Sequence, residues 1–157
     1  MQKGDEVCCP EFDPKKWDKK KVTWKGKLFV KATVFSFFHI PLNFESVMKK
    51  NCEKIKAAKA EDKNTIVLGD EISPFHSHVY ISVKKPVVGC NDVKLSGQFL
   101  TKVFEGPYKE MKGWIKEMKE YIKEKKKELK HMYFYYTTCP KCAKKYEKNY
   151  VVLFAEI

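Results

Sequence analysis

Six cysteines stand in the chain, and two of them form the sharpest local motif, Cys139-Pro140-Lys141-Cys142. Two thiolates at this spacing can chelate one tetrahedral ion, and a structural zinc needs four ligands. Cys8 and Cys9, followed by Pro10, are the second pair within reach of such a reading, although adjacent cysteines are a less usual ligand pair. Four thiolates would leave no open coordination position, so the zinc would pin the N-terminal arm rather than catalyse. Two other readings stay open. Cys-Pro-x-Cys also occurs in redox dithiols, but those place it early and follow it with a long helix, whereas only 15 residues follow Cys142. The pair can equally be free thiols in a hairpin. Cys52 falls on an apolar helix stripe and reads as core, and Cys90 reads as structural in a Gly-Cys-Asn turn.

Acid–base chemistry has two candidates, Glu105 and His39. A carboxylate partly buried among rings is pushed towards its protonated form and can exchange protons with a substrate, and a histidine can do the same. Glu105 has a plainer reading as an acidic residue at a helix start, where the dipole favours it. Aromatic residues are 14% of the chain, enough to wall a ligand site. Phe37, Tyr80, Tyr108, Trp114, Tyr133 and Tyr135 are the candidate ligand contacts, with core or surface roles as the alternative for each. Tyr133 and Tyr135 share one strand face, where rings can contact a flat ligand and hydroxyls can hydrogen-bond it. His76 and His78 could together touch a metal, but with no acidic third ligand evident nearby they read as a loop feature, and Asp70 and Glu71 as solvated.

These residues need elements to hold them. Residues 1–26 read as a polar arm, with an edge strand near Val22–Trp24. Alternation over Lys27–Phe38 predicts a strand, and Asn43 followed by Phe44, Val47, Met48, Cys52 and Ile55 predicts a helix fading by Ala60. Thr65–Leu68, closed by Gly69, and His78–Val83 are predicted strands, as are Leu95–Phe104, Met132–Tyr136 and Tyr150–Phe154. Gly106-Pro107 opens the second helix, with proline at the first helical position. Its apolar stripe is Tyr108, Met111, Ile115, Met118 and Ile122, and its opposite face is Lys and Glu.

The halves repeat. At an offset of 66, Phe38-His39-Ile40-Pro41-Leu42 falls on Phe104-Glu105-Gly106-Pro107-Tyr108, Met48 on Trp114, and Ile66-Val67-Leu68 on Met132-Tyr133-Phe134. The fold class is therefore α+β: duplicated β-α-β-β units forming one antiparallel sheet with two helices on one face. The domain spans 27–157, with repeat one over about 27–84 and repeat two over about 95–157, and the arm 1–26 packs on it. The seam between repeats would be a groove, with His39 and Glu105 both near it.

Phe104-Glu105-Gly106-Pro107-Tyr108, followed by an amphipathic helix with Trp114, resembles the second-repeat signature of GyrI-like small-molecule-binding domains. The resemblance covers about residues 27–157. It implies an aromatic-lined groove between the repeats, often with a buried carboxylate facing it. Members include effector domains of multidrug-sensing regulators, gyrase inhibitors, and hydrolases that open strained cyclopropane rings. The chain departs from the pattern in its last strand, Tyr150-Val151-Val152-Leu153-Phe154, which lacks the acidic residue many members place there, and in its cysteine loop.

Composition bounds the partners. The 157 residues carry a net charge of +12, with 32 lysines and no arginine. Lysine attracts nucleic acid electrostatically, but bidentate reading of guanine or phosphate prefers the guanidinium fork, so no specific nucleic acid is expected. No apolar run approaches the roughly 20 residues of a membrane helix and no secretory h-region opens the chain, so a cytoplasmic protein with no membrane partner is expected. The expected function is binding of a hydrophobic or aromatic, toxic small molecule in the groove, with no required cofactor, by a monomer or small homo-oligomer. The alternatives are a hydrolase of a strained or electrophilic small molecule, with Glu105 or His39 activating water, and an interaction protein for an acidic partner such as gyrase.

Overall fold

Period-2 alternation gives the chain long strands, and two stretches of helical periodicity interrupt them. A computed structural model describes residues 13–38, 40–62, 65–137 and 150–157. In chain order the elements are β1 (Lys20–Phe37), β2 (Ile40–Pro41), α1 (Phe44–Ala57), β3 (Val67–Ser73), β4 (His76–Ser82), β5 (Asn91–Glu105), α2 (Met111–Glu124), β6 (His131–Tyr136) and β7 (Tyr150–Glu156). The chain divides into two compact units, one of residues 23–98 and one of residues 1–22 with 99–157. Each consists of antiparallel strands with one helix.

In the unit 23–98, β4 lies between β1 and β3, with Val30 opposite Ile81 and Val67 opposite Ile81 on the other side. One sheet face packs on α1: Val30, Ile81, Val83 and Val87 close on Ile55 and Ala60, with Leu28, Met48 and Val67 half-buried around them. The helix begins one residue after Asn43, as the sequence predicts, but the Asn43 side chain makes no cap bond. Its Oδ1 instead accepts from the Phe35 amide at 2.8 Å, tying the helix start to β1. Cys52, expected in the core, is exposed, because Ile55 is the helix's one buried residue.

In the other unit, β7 lies between β6 and β5, with Phe134 opposite Leu153 and Lys102 opposite Leu153 on the other side. Helix α2 packs on one sheet face with Trp114, Met118, Tyr121 and Ile122, against Leu100, Phe104, Val151, Leu153 and Ala155. The opposite sheet face receives the end of the arm. Trp17 lies 5.3 Å from Phe154 and 6.0 Å from Tyr135, ring centre to ring centre. Its carbonyl accepts the Thr101 hydroxyl, and the Asp18 carboxylate accepts the Val103 amide at 3.2 Å.

Three boundaries correct the sequence reading. The arm ends earlier than expected, since β1 begins at Lys20. Gly69 does not close β3 but sits inside it, opposite Val79. Pro107 is not the first residue of α2: a 3-10 turn, Tyr108–Glu110, intervenes, and the two helices start 67 residues apart rather than 66. Gly106 is required there, because its φ of +139° disfavours any side chain and a Cβ would meet the Trp114 ring at 3.4 Å.

Candidate functional site

The sheet face of the unit 23–98 turned away from α1 gathers the chemistry. Alternation sends Phe29, Lys31, Thr33, Phe35 and Phe37 of β1 to this face, and register places Tyr80 opposite Lys31, His78 opposite Thr33 and His76 opposite Phe35. From β3, Leu68 is opposite Tyr80 and Asp70 opposite His78. At one end the face is apolar and exposed: Phe35 is 61% exposed, Phe37 56%, Phe38 61% and Phe75 51%. These rings touch, Phe37 edge-on to Phe38 at 4.7 Å and Phe38 tilted on Phe75 at 5.4 Å.

Further along, the face turns polar. Asp70 is buried at 6% exposure, which for a carboxylate demands polar partners. His78 stands edge-on to Tyr80, with ring centres 6.5 Å apart, and Phe29 closes on Tyr80 from the other side at 6.4 Å. The Lys31 ammonium lies 5.9 Å from the Tyr80 ring centre. Desolvation pushes the His78 pKa below its ordinary value, Lys31 and His76 push the same way, and Asp70 opposes them. Desolvation raises the Tyr80 pKa and the Asp70 charge adds to it, so the phenol keeps its proton.

The β3–β4 turn fixes the second histidine. Ser73 Oγ accepts the Phe75 and His76 amides at 3.1 and 3.3 Å and lies 3.0 Å from His76 Nδ1. The serine hydroxyl thus ties the His76 backbone and ring to the same turn.

The other expected site residues fall in several places. Phe37 and Tyr80 share the face just described. Tyr133 and Tyr135 share one face of β6, as expected, and Trp17 packs against Tyr135 there. Trp114 is on the opposite side of that sheet, buried and stacked on Phe104 at 5.7 Å, so it does not share the tyrosine face. Glu105 ends β5 and is exposed, so the partial burial expected for a carboxylate acid or base is absent there, and Asp70 has it instead. Tyr108 begins the 3-10 turn. His39 and the proposed zinc ligands Cys8, Cys9, Cys139 and Cys142 lie outside the described residues. Among the described residues, no group of three or more His, Cys, Asp or Glu could hold a metal ion, and no helix is long and apolar enough to cross a membrane.

A family model described as bacterial hydrolase matches residues 1–157. The chain belongs to the bacterial hydrolase family. The solved structure of SAV2435 bound to tetraphenylphosphonium is similar in fold, with a TM-score of 0.50 at 12% identity over 88% of this chain and 93% of that one. No curated protein matches the chain.

In this bacterial hydrolase family member the sequence reading names Asp70 and His78 but does not pair them across two strands, as the register does. Asp70 reads as a loop residue but lies on β3, and His78, the expected start of a strand, lies inside β4. Parity held the missing signal: Leu68 and Asp70 alternate across Gly69, and His76, His78 and Tyr80 continue the alternation of β4 towards its start.

Proposed function

We propose that this chain binds a hydrophobic or aromatic small molecule on the face of the unit 23–98 that bears Phe35, Phe37 and Tyr80. The observation behind this is the run of touching, exposed rings Phe37, Phe38 and Phe75, of which Phe37 shares the face of Tyr80 and His78 by strand alternation. Adjacent exposed aromatic side chains of this extent mark binding surfaces rather than ordinary solvated strand. A cation is the favoured charge class, since aromatic faces attract cations and Asp70 supplies a buried carboxylate on the same face. The similar fold of SAV2435, solved with a hydrophobic cation, supports this reading. In this reading the chain is a GyrI-like protein, and its two units descend from one β-α-β-β unit; each has a 14-residue helix following a long strand. Tetraphenylphosphonium is the probe. Titration followed by thermal shift should show saturable stabilisation, and Phe37→Ser should weaken binding about tenfold while leaving the ligand-free Tm unchanged. Equal affinity in Phe37→Ser and Phe75→Ser would remove this face as the site.

Hydrolysis is the second reading, favoured by the family to which the chain belongs. The bound compound would then be a substrate for water, and turnover would accompany binding.

A further inference from the structure

Resting on the hydrolase reading, we infer that His78 is the general base of a hydrolytic site on β4, with Asp70 as its positioning residue, acting on an ester with an aromatic or other hydrophobic group. His78 and Asp70 are direct cross-strand partners. Side chains so paired have Cβ atoms about 4.5–5.5 Å apart, close enough for a carboxylate to orient an imidazole. Asp70 is buried while His78 is half-buried and open to water, and the Asp70 charge acts on the ring from the paired strand. From that position a carboxylate can turn towards the imidazolium as it forms and stabilise it. Thr33, opposite His78 on β1, is exposed and small, and leaves room beside the ring. Phe35 and Phe37 lie next along the same face and are placed to receive the hydrophobic part of the ester.

The groups around His78 suit the role. A base at neutral pH must be unprotonated, and desolvation with Lys31 and His76 favours the neutral ring over the opposing effect of Asp70. The Lys31 ammonium, 5.9 Å from the Tyr80 ring centre on the same face, is a positive charge available to a forming oxyanion. In the reaction, a water oxygen forms a bond to the ester carbonyl carbon while its proton passes to the free ring nitrogen of His78. The carbonyl oxygen takes the electron pair. As that pair re-forms the carbonyl, the carbon–oxygen bond to the alcohol breaks and the imidazolium returns the proton to the leaving oxygen. Acid and alcohol result, and no other reactant is needed.

The test uses the full chain with 4-methylumbelliferyl butyrate, measured against free imidazole at equal concentration to remove background. Wild type should exceed that background, and His78→Gln should lose about 100-fold in kcat/KM with circular dichroism and Tm retained. The exposed Cys52→Ser serves as the control with unchanged rate. Asp70→Asn should lower kcat about tenfold or more with KM little changed. It should also move the midpoint of the rate–pH profile to lower pH, since the charge that raises the His78 pKa is gone; a merely structural role would leave that midpoint in place. If Asp70→Asn does not fold, His78→Gln decides alone. Turnover unchanged in His78→Gln overturns this assignment and leaves the hydrolase reading standing. Wild type no faster than imidazole overturns both.

Discussion

His78 titrates below the ordinary histidine value because its ring is partly desolvated and faces Lys31 and His76, with Asp70 alone pulling the other way. The sign of the consequence is fixed. A histidine whose pKa is lowered by folding stabilises the fold in its neutral form, so its contribution is present above the ordinary value of 6.5 and is lost as pH falls through the lowered one. Tm should therefore decline as pH drops from about 7 to about 5, and part of that decline should vanish in His78→Gln, which carries no charge at either end. Thermal unfolding of the two proteins across that range checks it; parallel curves would show that His78 is not a source of the decline. The same residue marks the limit of sequence reading. Tyr133 and Tyr135 were placed on one face by period alone, because their strand has no interruption. Asp70 was not, because Gly69 looked like an end, and only pairing to Val79 shows the strand running through it.

At the scale of elements, the two helices have equal length but unequal anchorage. Helix α1 buries Ile55 alone, whereas α2 buries Trp114, Met118, Tyr121 and Ile122. Local opening free energy follows buried apolar contact, so amides of α1 should exchange with solvent faster than those of α2 in native-state hydrogen exchange. The converse order would contradict the burial. Met118 is fully buried, and Met118→Ala should cost about 2–5 kcal/mol in denaturant unfolding. The periodic stripe of α2 was legible because Met118 and Ile122 recur at helical spacing on one side and Lys and Glu fill the other. The stripe of α1 buries less than its spacing suggests: Cys52 has the spacing of a core residue and is exposed, and Ile55 alone is buried. Helix onset after Gly106-Pro107 was also misplaced, since the sequence shows a helix-compatible proline without revealing that a 3-10 turn comes first.

For the whole molecule, charge is the dominant fact. Thirty-two lysines against 20 carboxylates leave +12 near neutrality. Lysine keeps its charge in acid, whereas carboxylates lose theirs between about pH 5 and pH 3. Net charge then climbs towards the full lysine count, and self-repulsion weighs against the compact state. Sodium chloride shortens the Debye length from about 30 Å at 0.01 M to about 8 Å at 0.15 M and screens that repulsion. At pH 4, raising the salt from about 0.01 to about 0.15 M should therefore increase Tm by several degrees. At pH 9 the same addition should change it less, because carboxylates there offset most of the lysines. The experiment separates this effect from His78, whose removal should leave the salt response at pH 4 intact. Tm insensitive to salt at pH 4 would mean that the surface spreads its lysines too widely for repulsion to matter.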